Sequence, residues 1–156
     1  MKVAPTLAGG LKIEAEVPGD WEVLHSILRD AAAGRVDLAE RLGRKMKEGE
    51  AGADWEDYVV PDLRAEFCAQ VVLVEEAVQM AAAASSGGAG AVFIPAGEVL
   101  SWFGALNQAR LGLEDRYKFG DDAAVNLAGM SAARRSGFLR GRFYAAVQEI
   151  MLTHLM

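Results

Sequence analysis

The run Val99-Leu100-Ser101-Trp102-Phe103-Gly104-Ala105-Leu106-Asn107-Gln108-Ala109-Arg110-Leu111-Gly112-Leu113-Glu114-Asp115-Arg116-Tyr117 decides the fold. Val99, Phe103, Leu106, Leu113 and Tyr117 recur at spacings of three and four, the repeat of one apolar face of an α-helix. Pro95 stands ahead of the run, and Lys118 followed by Gly120 closes it, glycine being the residue that most readily takes the left-handed turn after a helix. A helix with so long an apolar seam needs other helices to cover it.

Arg110 falls inside that seam. A buried guanidinium must find a carboxylate or several carbonyls, because removing the partner of a buried charge costs about 3–5 kcal/mol. Glu66, Glu75 and Glu76 in the preceding helix are the expected partners, and Asn107, one turn earlier, is placed to share the network. The competing reading is that Asn107 and Arg110 line a pocket for a small anionic ligand or a partner's carboxylate.

On the N-terminal side of this helix, Val92-Phe93-Ile94 is a short β-like run, and Ser85-Ser86-Gly87-Gly88-Ala89-Gly90 reads as a flexible connector. Before the connector comes a helix opened by Pro61 and Asp62, with Leu63, Phe67, Val71, Val74, Val78 and Ala81 as its buried stripe out to about Ala84. The stretch from Glu48 to Val60 reads as an acidic loop whose Trp55 and Tyr58 plug into the domain surface. A second helix spans about Val36 to Lys47. A first runs from Asp20, the expected N-cap, to about Ala33, with Trp21, Leu24, Ile27, Leu28 and Ala31 inward. Leu11-Lys12-Ile13-Glu14-Ala15-Glu16-Val17 alternates as a half-buried strand does. Gly9-Gly10 turns it back on a partner near Lys2 to Leu7, where Pro5 requires an open edge.

On the C-terminal side, Asp121 or Asp122 can cap a short helix to about Ala128, and Ser131 caps a long helix to about His154. Leu139, Phe143, Val147, Ile150 and His154 share one side of that helix. Ala133, Gly137, Gly141 and Ala145 recur every four residues, a row of small side chains against which another helix can pack closely. The neighbour is either in the same chain or in a second copy, which makes a homodimer through this helix one expectation. Arg134, Arg135 and Arg142 lie on overlapping faces, with Arg140 elsewhere. They form a solvated face or pair with the acidic stretch, with an anion site or an interface as the alternatives.

The expectation is one mainly α domain over residues 1–156: a helical bundle of five to six helices with a small N-terminal β-hairpin packed against it. The hairpin occupies 1–17, the first three helices 20–84, the connector 85–95 and the remaining helices 96–156. The hydrophobic share of 52% is rich in alanine, which suits close helix packing. A net charge of −6 weighs against nucleic acid and anionic membranes. The charge is uneven, since residues 1–80 hold 16 acids against 9 bases and residues 81–156 hold 6 against 7. No signal sequence or membrane span is expected, and the single Cys68, read as a buried inert thiol, fits a cytoplasmic protein. His25 and His154 read as structural. No cofactor or metal is expected, because His, Cys and carboxylates do not fall at ligand spacing and the glycine-rich run lacks the Gly-Lys-Ser/Thr of a phosphate loop.

The segment from Trp102 to Leu113 resembles the hallmark of an uncharacterised bacterial family, a domain of unknown function with a Trp-x-x-Ala-Leu-Asn-x-x-Arg-Leu-x-Leu core followed by a long final helix. The hairpin leading into the first helix and the Pro61-Asp62-Leu63-Arg64 opening are similar to that family too. The chain departs from it at the Asp54–Tyr58 segment and in its longer glycine connector. In actinobacteria such proteins are typically encoded beside the adaptor of the Clp protease, which implies an association with protein turnover. The resemblance brings no established activity. The expected role is therefore a non-enzymatic interaction or regulatory module with a protein partner. Anionic-ligand binding or an enzyme built on Asn107 and Arg110 is the alternative, and nucleic-acid binding through the C-terminal helix the weaker one.

Overall fold

The computed structural model describes residues 1–34, 37–46, 55–121 and 126–156. Strand β1 (Lys2–Pro5) turns through Thr6 to Gly10 into β2 (Leu11–Ala15), and helix α1 (Pro18–Ala31) follows at once. Helix α2 (Leu38–Met46) comes next, and a π-helical turn, Trp55–Val59, runs directly into α3 (Val60–Ala84). Strand β3 (Gly90–Ile94) separates α3 from α4 (Val99–Tyr117), and α5 (Ala132–His154) ends the described chain. The protein is a helical bundle with a three-stranded antiparallel sheet, in the order β1-β2-β3, against it.

The hairpin forms as its alternation requires. Thr6 closes the turn by donating its N–H to the Gly10 carbonyl at 2.8 Å, and Gly9 takes a positive φ of 83° that β-carbon-bearing residues resist. Pro5 lies on β1, an outer strand, where its missing N–H is tolerated. β2 is central, and Val92 and Ile94 of the β-like run pair with Ile13 and Leu11 across it. The inward row Leu11, Ile13, Ala15, Val92 and Ile94 closes one side of the core. Trp21, Leu24, Ile27, Val74, Val78, Trp102, Leu106, Leu113, Tyr144 and Met151 fill the rest.

Several local expectations need correction. α1 begins at Pro18 with Val17 as its cap, and Asp20 sits inside the first turn, where its carboxylate accepts N–H bonds from Glu16 (2.8 Å) and Val17 (3.3 Å). The Ser85–Gly90 run is not a loose connector. Ser86 and Gly87 take positive φ, the Gly87 N–H returns to the Ala82 carbonyl at 2.8 Å, and Trp21 Nε1 donates to the Gly88 carbonyl at 2.7 Å. Residues 55–59 are helical rather than loop, and Tyr58 is exposed instead of plugged into the surface. The side chain of Trp55, and the acids Glu48, Glu50 and Asp54, lie outside the described residues. So does most of the short helix expected after Asp121, of which the described part is a single 3₁₀ turn, Leu127–Gly129, capped by Asn126.

The largest correction is a rotation of α4. Its buried residues are Val99, Trp102, Ala105, Leu106, Ala109, Gly112 and Leu113, so the true seam is turned away from Phe103, Arg110 and Tyr117. Alanine and glycine occupy three of its seven positions because neighbouring helices approach closely there. A β-carbon on Gly112 would collide with the carbonyl of Asp30, which fixes how tightly α1 crosses α4.

Candidate functional site

Among the described residues the most buried charged side chain is Asp30, on α1 and only 2% exposed. Arg140 on α5 grips it with two nitrogens, Nε at 2.7 Å and Nη2 at 2.8 Å, and Tyr144 donates its hydroxyl at 2.8 Å. Arg140 also reaches Ser136 at 2.8 Å. Burial, reinforced by the Asp30 charge, raises the Tyr144 phenol well above its ordinary range. The Asp30 hydrogen bond raises the Arg140 guanidinium further, so both stay protonated. With three donors on one carboxylate, the cluster clasps α1 to α5.

Arg110 is exposed, which corrects the buried-seam reading, yet it is anchored. One guanidinium nitrogen donates to Gln148 Oε1 at 2.7 Å. Gln148 is itself 3% exposed and passes its amide N–H to the Phe103 carbonyl at 3.1 Å. The partner is a neutral amide, not a carboxylate. Glu66 meets Gln70 at 3.3 Å, and Glu75 meets His25 at 3.3 Å and Gln79 at 2.9 Å. The structure therefore does not join Glu66 and Glu75 to Asn107 and Arg110. Asn107 is exposed as well, and with Arg110, Glu114, Arg142, Phe119 and Phe138 it lines a cleft of about 290 Å³. That cleft lies between α4 and α5.

The small-residue row of α5 is occupied within the chain. A β-carbon on Gly137 would sit 2.7 Å from the Tyr117 ring, and one on Gly141 would touch Leu113. Ala133 is exposed. Arg134 donates to the Tyr117 carbonyl and, at 3.3 Å, to that of Lys118, and it lies 5.1 Å over the Phe119 ring. It thereby ties α5 to the carbonyl end of α4. Arg135 reaches the carbonyls of Leu127 (3.1 Å) and Met130 (3.2 Å). These arginines do not converge on one surface site. Cys68 is exposed rather than buried, and no group of three metal-ligating side chains occurs among the described residues.

Sequence reasoning missed one further surface. Asp57–Ala84 is long and apolar enough to cross a membrane, yet only 17% of its most apolar stretch is buried. Val71, Val74 and Val78 point into the core. The opposite side presents Ala65, Cys68, Ala69, Val72, Met80 and Ala83 to solvent, with Glu76 between Val72 and Met80 and Met80 75% exposed. From Ala65 to Ala84 the chain carries three glutamates and no lysine or arginine. The signal was present as an apolar helix with Glu75 and Glu76 at its middle.

A family model described as "Domain of unknown function (DUF2017)" matches residues 6–155, so the chain belongs to that family. No curated protein and no solved structure matches it.

Proposed function

We propose that this member of the DUF2017 family is a non-enzymatic interaction module that docks an apolar, basic-flanked helix of a partner protein along the outward face of α3. The observation that carries the reading is a long apolar helix covered on one side, whose other side, interrupted by Glu76, stays exposed. Helices apolar all round are normally enclosed. Ala65, Ala69, Val72 and Ala83 keep the outward face low, so a second helix can approach closely. The exposed Glu66 and Glu76 favour a partner that brings Lys or Arg. The resemblance to proteins encoded beside a protease adaptor favours a partner that acts in protein turnover.

The test is a photo-crosslinking amino acid at position 72 or 80, with the adducts mapped by mass spectrometry. Crosslinks falling on one helical, Lys/Arg-flanked segment of a partner, and lost in a Val72→Glu/Met80→Glu protein, are expected. Capture that is unchanged by those two substitutions overturns the reading.

A second reading has its own observation. Arg110 faces the α4–α5 cleft while held by an amide, so its positive charge is positioned without being neutralised by that contact. A small carboxylate or phosphate bound there, with Asn107 as a second donor, would raise the thermal midpoint of the wild type and not that of Arg110→Ala. Equal shifts in both proteins dismiss it. Nucleic-acid binding gains no support, because Arg134, Arg135 and Arg140 are already engaged with internal carbonyls and Asp30.

A further inference from the structure

The two outer strands of the sheet are built differently. An exposed strand edge presents unpaired N–H and C=O groups, and proteins blunt such edges with lysine, proline or covering elements. β1 carries Lys2 and Pro5; a helix lies beside each outer strand, α5 by β1 and α3 by β3, so the difference is in the strands themselves. β3 reads Gly90-Ala91-Val92-Phe93-Ile94, without charge, proline or bulge, and β2 is its sole strand partner among the described residues. Phe93 points away from the core and is 63% exposed, with Lys12 of β2 placed 5.7 Å from its ring.

We infer that β3 is a self-association edge, on which a second copy of this chain adds its own β3 antiparallel about a two-fold axis at Val92. The strand is its own complement in that register. Ala91 faces Phe93 of the second copy on the outer side, a small side chain opposite a large one. Val92 faces its counterpart and Gly90 faces Ile94 on the core side, so the apolar-in alternation continues across the joint. No charge meets a like charge along the shared edge, because the strand has none. The two three-stranded sheets become one of six strands. Any other extended segment would have to reproduce both the alternation and the neutrality. A five-residue edge buries less than a permanent dimer needs, so the association is weak and reversible. This surface is separate from the α3 face and stands independently of the partner proposed for it.

Sedimentation velocity from about 10 to about 500 μM tests it, together with hydrogen exchange at both extremes. The wild type is expected to shift from monomer toward dimer, with amides of residues 90–94 exchanging more slowly at high concentration. Ala91→Lys/Phe93→Lys sets lysines against each other across the axis and should weaken the dimer at least tenfold, while leaving the monomer's circular dichroism and melting unchanged. If the double variant folds poorly, Phe93→Lys alone carries the same expectation. A chain that stays monomeric throughout overturns the inference. So does a dimer that survives the β3 substitutions, and one abolished by Val72→Glu in place of them assigns self-association to α3.

Discussion

Asp30 and Arg140, 110 residues apart, meet in a two-point clasp at 2.7 and 2.8 Å, and Arg140 is the cation that neutralises the most buried carboxylate of the described chain. Breaking the pair from one side leaves a buried charge alone. Arg140→Met should cost about 3–5 kcal/mol in urea unfolding, whereas Asp30→Leu combined with Arg140→Met should recover much of that loss. A double variant no more stable than the single would show that the clasp does not act as a unit.

Tyr144 gives the clasp a pH signature. Its folded value is raised above the ordinary 10.0 by burial and by Asp30. The folded state therefore keeps a proton that the unfolded chain releases, so the stabilisation is complete below about pH 10 and is lost as pH climbs beyond it. Tyr144→Phe removes both the hydrogen bond, about 1–2 kcal/mol at neutral pH, and the alkaline slope it produces. Denaturation midpoints at neutral pH and above pH 10 measure both.

Asp20 works at the other end of the scale. N–H bonds from Glu16 and Val17 hold its carboxyl below the usual 3.8. Its contribution is present above that value and fades as pH falls through the lower folded one. Asp20→Ala should cost about 1 kcal/mol at pH 7 and flatten that part of the acid limb. An unchanged acid limb would mean the N–H bonds do not persist in solution.

Gly112→Ala should separate α1 from α4, because its new β-carbon meets backbone, which cannot rotate away. A loss of about 1–3 kcal/mol or more is expected from overpacking. Gly97→Ala, with open space around it, should change the thermal midpoint little. Similar effects from the two substitutions would remove Gly112 as the determinant of the crossing.

Much of the fold was legible because it is written in local periods. The alternation of Leu11 to Ala15, the β-like run at Val92, and the valines 71, 74 and 78 all lie where their spacing puts them. Ser131 caps α5 as expected, its hydroxyl accepting the Arg134 N–H. The rotation of α4 was hidden because hydrophobic periodicity weights Phe103 and Tyr117 over Ala105, Ala109 and Gly112. At a close helix crossing the small residues are the buried ones. Leu139, expected inward, is exposed for a related reason: α5 turns Tyr144, Gln148 and Met151 inward, and their partners on α1 and α4 cannot be inferred from α5 alone. The Asp30–Arg140 clasp had no local signature. Neither residue sits in an unusual pattern, and their meeting is decided by how α1 and α5 cross.

The clasp also sets a schedule. Asp30 leaves the ribosome early and Arg140 follows 110 residues later, so α1 cannot bury its carboxylate stably while synthesis is under way. A nascent chain must keep the α1 end of its core ajar until α5 emerges. A chain that stops ahead of residue 140 lacks the cation for Asp30 and cannot close its core over that carboxylate without leaving a buried charge alone.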